Sequence, residues 1–148
     1  MTKSRDRTTL HIRRGETPGS PRPRRYPVLI GLQGGMRNRR FILDRERFTL
    51  GRSSQADIPI EDNLASRIHS SILYVNFDRG AEIPDCRIFD ERSTNGTFVN
   101  GSRVDSEGAW LSDRDRIEIG NCVLGYYIRD EEEIRLDRRI EGDGDTIA

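Results

Sequence analysis

The sequence contains few of the residues that build metal centres, disulfide frameworks or membrane spans. It has two cysteines, Cys86 and Cys122, with no CxxC spacing, and two histidines, His11 and His69. Two cysteines do not make a disulfide framework, and so few ligand residues do not make a metal cluster. No segment reaches the ~20 apolar residues that a transmembrane helix needs, and the first residues lack the apolar core of a signal peptide. We therefore expect a cytoplasmic protein with two free, buried thiols and with neither a metal nor another cofactor.

Hydrophobic residues are also scarce relative to charged ones. They make up 33% of the 148 residues, and charged residues make up 34%. An average domain has roughly 45–50% apolar and about 25% charged residues. Part of the chain is therefore expected to be solvated tail. The apolar runs are concentrated between residues 28 and 127, and the length suits one domain with tails.

Charge is balanced over the whole chain but not along it. Residues 1–27 carry eight Lys/Arg against two Asp/Glu, and residues 128–148 carry four against eight. We therefore divide the chain into a flexible basic arm (1–26), a folded domain (27–128) and an acidic, helix-prone linker (129–148) to a possible downstream output domain. A basic arm can attract nucleic acid or an anionic membrane. A kinase-recognition sequence or a solubilising linker fits it equally, and we favour these two, so neither nucleic acid nor a membrane is expected as a partner.

The folded part is predicted to be all-β. Short runs of β-branched and aromatic residues alternate with turn residues, and no internal stretch has a long helical period. The predicted strands cover residues 28–32, 39–43, 48–51, 58–60, 70–77, 87–89, 97–99, 103–104, 117–119 and 123–128. Many short strands at regular spacing indicate a β-sandwich or a barrel.

Two turns and one sheet edge can be predicted from residue type. Asn100-Gly101 stands between two strand-like runs and is a strong signal for a two-residue hairpin. Gly120-Asn121 joins the last two predicted strands in the same way. Pro59 cannot donate a ladder hydrogen bond, which places its strand at an edge or a strand end.

Three short motifs lie at strand ends or in loops, where a rigid sandwich presents binding groups. They are Gly51-Arg52, Ser66-Arg67-Ile68-His69, and the run DERSTNGT from Asp90 to Thr97. A phosphate group carries about −1.5 to −2 charges at pH 7 and three strong acceptor oxygens. Arginine matches two of those oxygens with its planar fork, and hydroxyls supply further donors. The candidate phosphate-binding residues are Arg52, Ser66, Arg67 and Thr94.

Three further residues suit the loops around such a ligand. Gly51 lets the backbone turn without a Cβ clash. Gly96 is expected to hold the positive φ that an Asn95-Gly96 turn demands. Asn95 offers an amide donor and an acceptor to a peptide backbone beside the phosphate. Each motif alone is weak evidence for a phosphate-binding site, and only their order and spacing together indicate one.

The run FTLGRSSQADIPIEDNLASRIHSSI, with the later run FDERSTNGTFVNG, resembles the forkhead-associated (FHA) family. The resemblance covers roughly residues 27–128 and includes the Gly-Arg, Ser-Arg-x-His and Asn-Gly-Thr signatures. It implies an FHA-type β-sandwich of two mainly antiparallel sheets. It also implies a signalling module that binds phosphothreonine-containing proteins and is not an enzyme.

The resemblance assigns a role to each matching residue. Arg52 binds the phosphate, and the further phosphate contacts are Ser66, Arg67 and Thr94. Asn95 grips the ligand backbone beside the phosphothreonine. The residues that shape or prop the loops are Gly51, His69 and Gly96.

Other interpretations of these residues stay open at this point. Arg52 could form a surface salt bridge with Asp57 or Glu61. Ser66 and His69 could act as nucleophile and base, although no oxyanion-hole motif lies nearby. The alternative function is a phosphate-independent interaction or oligomerisation module, whose affinity would ignore both phosphorylation and Arg52→Ala.

The basic arm contains candidate ligands of its own. Thr8 and Thr9 follow basic residues that a serine/threonine kinase could recognise, and Ile12 lies three residues after Thr9, a position that FHA domains often read. A linker of ~14 residues spans about 20 Å on average. We therefore predict that the phosphorylated arm binds its own domain and regulates an output domain after Ala148, with a diguanylate cyclase as the leading expectation by analogy.

Overall fold

The structure, a computed structural model, describes residues 24–79 and 82–136, and it confirms the all-β prediction. The strands of these residues are β1 (Arg25–Gln33), β2 (Arg40–Ile42), β3 (Arg47–Gly51), β4 (Ile58–Pro59), β5 (Ser70–Tyr74), β6 (Cys86–Asp90), β7 (Thr97–Val99), β8 (Ser102–Arg103), β9 (Ala109–Leu111), β10 (Asp115–Ile119) and β11 (Cys122–Asp130). Short 3-10 helices cover Gly34–Met36 and Phe77–Arg79, and residues 131–136 form a helical stretch.

Two sheets form the sandwich. The larger sheet has the order β2-β1-β11-β10-β7-β8, and the smaller sheet has the order β4-β3-β5-β6-β9. Within the described ranges, every strand pair is antiparallel except β3 with β4, where Leu50 lies beside Ile58. β4 is an edge strand, which confirms the position predicted from Pro59.

Alternating side chains of both sheets fill the space between them. Fully buried apolar residues include Leu29, Leu50, Ile72, Ile88, Ile117 and Leu124. Burying each such side chain contributes about 1.5–3 kcal/mol. Cys86 and Cys122 lie in this core as free thiols, as predicted, and burial raises the pKa of the Cys86 thiol to about 11.

The predicted hairpins are present. β7 and β8 are joined by Asn100 and Gly101, whose φ angles of 52° and 85° are those of the hairpin turn with two positive-φ residues. Gly120 and Asn121 join β10 to β11 in the same two-residue spacing, with φ at 60° for Gly120.

Two strand predictions were wrong in detail. The strand predicted over 70–77 ends at Tyr74 because the Asn76 side chain closes the turn that follows. Its Nδ2 donates to the Ile83 carbonyl at 3.0 Å, and its Oδ1 accepts the Asp85 N–H at 2.9 Å. β9 was missed because a three-residue strand beside Gly108 is too short for a period to show.

The connections place the three motifs at one end of the sandwich, and the start of β1 and the end of β11 at the other. Gly34 and Asn121 lie together at the motif end, whereas Arg25 pairs with Asp130 at the opposite end. β1 runs between the two ends, and its nine residues span about 30 Å at ~3.3 Å per residue. The described residues include no helix that is long and apolar enough to cross a membrane.

Candidate functional site

The structure brings all three motifs into contact. The Thr94 N–H donates to the Ser66 Oγ at 3.0 Å, and Asn95 Nδ2 donates to the Leu64 carbonyl at 2.9 Å. The Arg52 N–H donates to the Ser66 carbonyl at 2.9 Å. Loops that follow β3, precede β5 and follow β6 therefore form one surface.

Arg52 lies on this surface with most of its hydrogen-bonding capacity free. The side chain is exposed, and its Nε donates to the Ala65 carbonyl at 3.0 Å. Within the described residues the two terminal nitrogens of its guanidinium have no partner. They are the part of the arginine fork that suits a phosphate oxygen pair.

The salt-bridge interpretation of Arg52 is wrong. Asp57 pairs instead with Arg45 at 3.4 Å, and Glu61 pairs with Arg39 at 3.1 Å. Both carboxylates thus pair with other arginines, and Arg52 has no ion-pair partner among residues 24–79 and 82–136.

Asp57 has a structural role, because its hydrogen bonds hold β4 against β3. Its carboxylate accepts the Thr49 N–H at 2.8 Å, and its own N–H donates to the Thr49 hydroxyl at 3.0 Å. The hydrogen bond from the Thr49 backbone outweighs the effect of burial and, together with Arg45, holds the pKa of Asp57 below its usual value.

His69 ties two of the loops together. It is fully buried, its Nδ1 accepts the Ser66 N–H at 3.0 Å, and its Nε2 lies 2.8 Å from the Gly96 carbonyl. Because Ser66 must donate to Nδ1, the proton is on Nε2, which donates to Gly96. The nucleophile-and-base interpretation is therefore wrong: both ring nitrogens bond to the backbone, and the Ser66 hydroxyl accepts from Thr94.

The two glycines of the motifs, Gly51 and Gly96, are needed for different geometric reasons. A Cβ on Gly51 would lie 2.0 Å from the Arg67 carbonyl oxygen, so the residue is small to permit a close backbone approach. Gly96 has φ at 90°, as its turn was predicted to require.

A network that sequence reasoning missed holds the 91–96 loop. Asp90 Oδ1 accepts the hydroxyls of Ser93 and Thr97, each at 2.6 Å, and Oδ2 accepts the Ser93 N–H at 3.0 Å. Ser93 Oγ in turn accepts the Gly96 N–H at 2.8 Å, and Ser70 bonds to Thr97 at 2.7 Å. Asp90 followed three residues later by Ser93 is a side-chain turn signal that could have indicated this.

The same network sets the ionisation of Asp90. Burial alone would raise its pKa, but hydrogen bonds from Ser93 and Thr97 outweigh burial and hold the pKa of Asp90 below its usual value. The carboxylate is therefore charged at neutral pH and is fully engaged in shaping the loop.

A second anchor, also missed, fixes the loop that carries Ser66. Asp62 accepts the Leu64 N–H at 2.8 Å through one oxygen and the Asn121 N–H at 2.6 Å through the other. The position of Asp62 two residues before Leu64 is the local signal of such a turn.

The other candidate binding residues lie on the same contacting loops as Arg52. Arg67, Thr94 and Asn95 are exposed, and Ser66 is partly buried. Asn95 differs from expectation in one respect, because one of the two Nδ2 hydrogens already bonds to Leu64, which leaves Oδ1 and the second N–H free within the described part of the chain. The arrangement offers two guanidinium groups and two hydroxyls to an anion.

Thr8 and Thr9, the candidate phosphorylation sites, lie outside the described residues.

Sequence comparison with known proteins shows similarity to FHA domains. The family model of the FHA domain matches residues 48–120. The chain is 43% identical over 97 residues to the ABC transporter ATP-binding/permease protein Rv1747 of Mycobacterium tuberculosis, and 33% identical over 99 residues to the glycogen accumulation regulator GarA of Mycolicibacterium smegmatis. These matches cover 63% and 67% of this chain but only 10% and 57% of the respective relatives.

A solved structure agrees with the sequence comparisons. It comes from a structural and functional analysis of phosphothreonine-dependent FHA domain interactions. It superimposes with a TM-score of 0.57 and 25% identity, covering 69% of this chain and 95% of the other.

Proposed function

Because the chain belongs to the FHA family, we propose that it binds phosphothreonine-containing segments of partner proteins and acts in signalling without catalysis of its own. The phosphate contacts in this proposal are Arg52, Ser66, Arg67 and Thr94. Asn95 accepts a backbone N–H of the ligand through its free Oδ1. Gly51, His69 and Gly96 hold the loops in place.

The observation that carries this proposal is the uncompensated Arg52 beside two hydroxyls. Its terminal nitrogens have no partner in the described residues, and Asp57 and Glu61, the two acids proposed as its salt-bridge partners, pair with other arginines. An arginine fork next to hydroxyl donors on a rigid loop platform suits a dianionic phosphate.

A titration of the full chain tests the proposal. The probes are a peptide spanning Lys3 to Arg14, unphosphorylated or phosphorylated on Thr8 or Thr9, and a library of peptides with one fixed phosphothreonine. We expect micromolar binding that requires the phosphate and falls at least tenfold in Arg52→Ala, since hydrogen bonds to charged groups contribute about 1.5–3 kcal/mol. Binding should persist in Arg47→Ala, which removes an exposed charge at the other end of β3.

The absence of phosphate-dependent binding to every probe would contradict the proposal. Binding to library peptides but not to the Lys3–Arg14 peptides would keep the reader function and remove the arm as its ligand. Arg52→Lys, which keeps the charge but loses the fork, should show an intermediate loss.

We also propose that the arm is one ligand of this site. A serine/threonine kinase would phosphorylate Thr8 or Thr9, and the phosphorylated arm would then compete with other partners. A diguanylate cyclase output domain remains an expectation by analogy, and the proteins with which the chain was compared add no support for it.

A second candidate function has one observation in its favour. On the outer face of the smaller sheet, Arg87 lies 5.0 Å from the ring of Trp110 and 5.6 Å from that of Phe89, and Trp110 is 54% exposed. Such a face suits phosphate-independent association with a second copy of the chain. In the titration above, that function would give an affinity that is the same with and without the phosphate and the same in the wild type and Arg52→Ala.

A further inference from the structure

Arg103 lies against the candidate site from the opposite sheet. It belongs to β8, the edge strand of the larger sheet, and its side chain is exposed. A Cβ built on Gly96 would lie 2.9 Å from Arg103 Cζ and 3.0 Å from Nε. Gly96 therefore serves two purposes, since its lack of a side chain also lets this guanidinium lie on the loop backbone.

The positive charge of Arg103 is not compensated within the described residues. Its other side-chain contact is the ring of Phe98, 6.0 Å from Cζ. Arg92, in the 91–96 loop, is exposed and has no described partner either. The neighbouring acid, Glu91, is engaged with the Ser71 hydroxyl at 2.5 Å. Within the described residues, neither of these two guanidinium groups is therefore paired with a carboxylate.

The position of Arg103 relative to the phosphate contacts fits an extended ligand. Thr94 and Asn95 bond to the loop before β5, in the smaller sheet, whereas Arg103 reaches Gly96 from the larger sheet. Thr94 and Gly96 are two residues apart, so their Cα atoms are separated by at most about 7 Å. A ligand residue next to a phosphothreonine that contacts Thr94 is one Cα–Cα step of ~3.8 Å away, so its side chain is within reach of Arg103 beside Gly96.

We propose that Arg103, with Arg92, forms a second anion subsite that binds a phosphate or carboxylate on the ligand residue adjacent to the phosphothreonine. The proposal rests on the proposed phosphothreonine binding and deepens it, because it makes the ligand an acidic or doubly phosphorylated segment. The exposed planar fork of Arg103 suits both anions. The adjacent pair Thr8-Thr9, outside the described residues, would present such a ligand when both are phosphorylated.

A purely structural Arg103 would behave differently. If it only braced the Gly96 backbone, its loss would weaken all ligands by the same factor. A subsite predicts instead that the loss is selective for ligands with the second anion. The comparison between ligands, rather than the absolute affinity, therefore decides between the two roles.

The experiment uses the full chain and a peptide library with one fixed phosphothreonine. The residue on either side is Ala, Arg, Asp or a second phosphothreonine, and the proteins are the wild type, Arg103→Ala, Arg103→Lys and the charge-matched control Arg116→Ala. We expect the second phosphate to strengthen wild-type binding about tenfold, beyond the twofold statistical gain from two phosphothreonines, because charge-assisted hydrogen bonds are the strong ones. Asp should give a smaller gain of about threefold.

In Arg103→Ala these gains should fall below about twofold, while the singly phosphorylated peptides with Ala neighbours keep their affinity. Arg116→Ala should retain both gains, and Arg103→Lys should retain part of them. An equal loss for all peptides in Arg103→Ala, or a gain that survives it, overturns the subsite. A wild type that binds phosphothreonine peptides but does not discriminate between neighbours also overturns it. If no phosphothreonine peptide binds at all, the proposed function itself fails.

Discussion

At the scale of single residues, the buried polar side chains of the domain gather beneath the candidate site. Among the described residues these are His69, Ser70, Ser71 and Thr97. Burying a polar group is unfavourable unless it is hydrogen-bonded. Each of these four side chains forms a hydrogen bond with a residue between 90 and 97. The buried polar groups of the described residues therefore hold one loop in place.

Asp90 is the residue on which this loop depends most. Its replacement by Ala leaves the Ser93 and Thr97 hydroxyls and the Ser93 N–H without an acceptor. We expect Asp90→Ala to lower the free energy of unfolding by about 1–3 kcal/mol at pH 7. Urea denaturation of the wild type and the variant measures the difference.

The effect of Asp90 on stability should depend on pH. Its pKa in the folded state lies below the ordinary value of 3.8, so its stabilising effect is present above that value and is lost as the pH falls through the folded pKa. The difference between wild type and Asp90→Ala should therefore shrink below about pH 4. Asp44→Ala, an exposed control, should show little difference at either pH, and a constant Asp90→Ala difference would contradict this account.

The residue types of the site could be predicted from the sequence, but the contacts between them could not. Arg52 and Thr94 are recognisable because an anion needs a fork and hydroxyl donors. His69 bonds to Gly96 across 27 residues, and Asn95 bonds to Leu64 across 31. Such contacts depend on how two sheets bring three loops together. Arg103 stayed unnoticed for the same reason, because only the fold places β8 beside Gly96.

At the scale of elements, features that depend on adjacent residues could be predicted from the sequence, whereas features that depend on long-range contacts could not. The Asn100-Gly101 hairpin could be predicted because two adjacent residues carry the whole turn. The end of β5 and the existence of β9 could not, since the former depends on the Asn76 side chain bonding to Ile83 and Asp85 and the latter on pairing with β6.

Two glycines at strand ends should respond differently to the same substitution. A Cβ at Gly51 meets the Arg67 carbonyl oxygen, whereas a Cβ at Gly101 meets nothing within 4 Å and adds only the strain of a φ at 85°. We expect Gly51→Ala to displace the loop that carries Ser66 and Arg67, lowering stability by about 1–3 kcal/mol and phosphopeptide affinity at least tenfold. Gly101→Ala should cost about 1–2 kcal/mol of stability and leave affinity within about twofold.

Chemical denaturation and phosphopeptide titration of both variants provide the test. The decisive comparison is affinity at matched stability. If Gly101→Ala lost as much affinity as Gly51→Ala, the site would depend on global stability rather than on the approach of β3 to the loop before β5.

At the scale of the whole molecule, the position of the start of β1 limits how the arm can reach the site. The arm joins the domain at the end opposite to the three motifs, and β1 sets the distance to be covered at about 30 Å. Thr9 precedes Arg24 by 15 residues. A random coil of that length spans about 21 Å on average and about 50 Å when fully extended. Binding within one chain is thus within reach, but it requires a stretched linker and competes with binding to a second copy.

Electrostatic repulsion also opposes binding of the arm to its own site. The arm is basic, and Arg52, Arg67, Arg92 and Arg103 surround the site, so the peptide brings repulsion that its phosphate must overcome. A second phosphate on the Thr8-Thr9 pair would offset more of that repulsion than one phosphate can. The doubly phosphorylated arm is therefore expected to be the better self-ligand.

Shortening the linker separates the two modes of self-binding. With residues 15–20 deleted, Thr9 precedes Arg24 by nine residues, a separation that reaches about 30–32 Å at full extension. We expect kinase-treated full-length chain to compact in solution scattering, and Thr8→Ala with Thr9→Ala to abolish that compaction. The deletion variant should instead form concentration-dependent dimers after the same treatment, because its phosphorylated arm reaches a second copy more easily than its own site. Compaction that persists in the deletion variant would mean that the arm approaches the site by a shorter path than along β1, and compaction that persists without Thr8 and Thr9 would exclude both as the ligand.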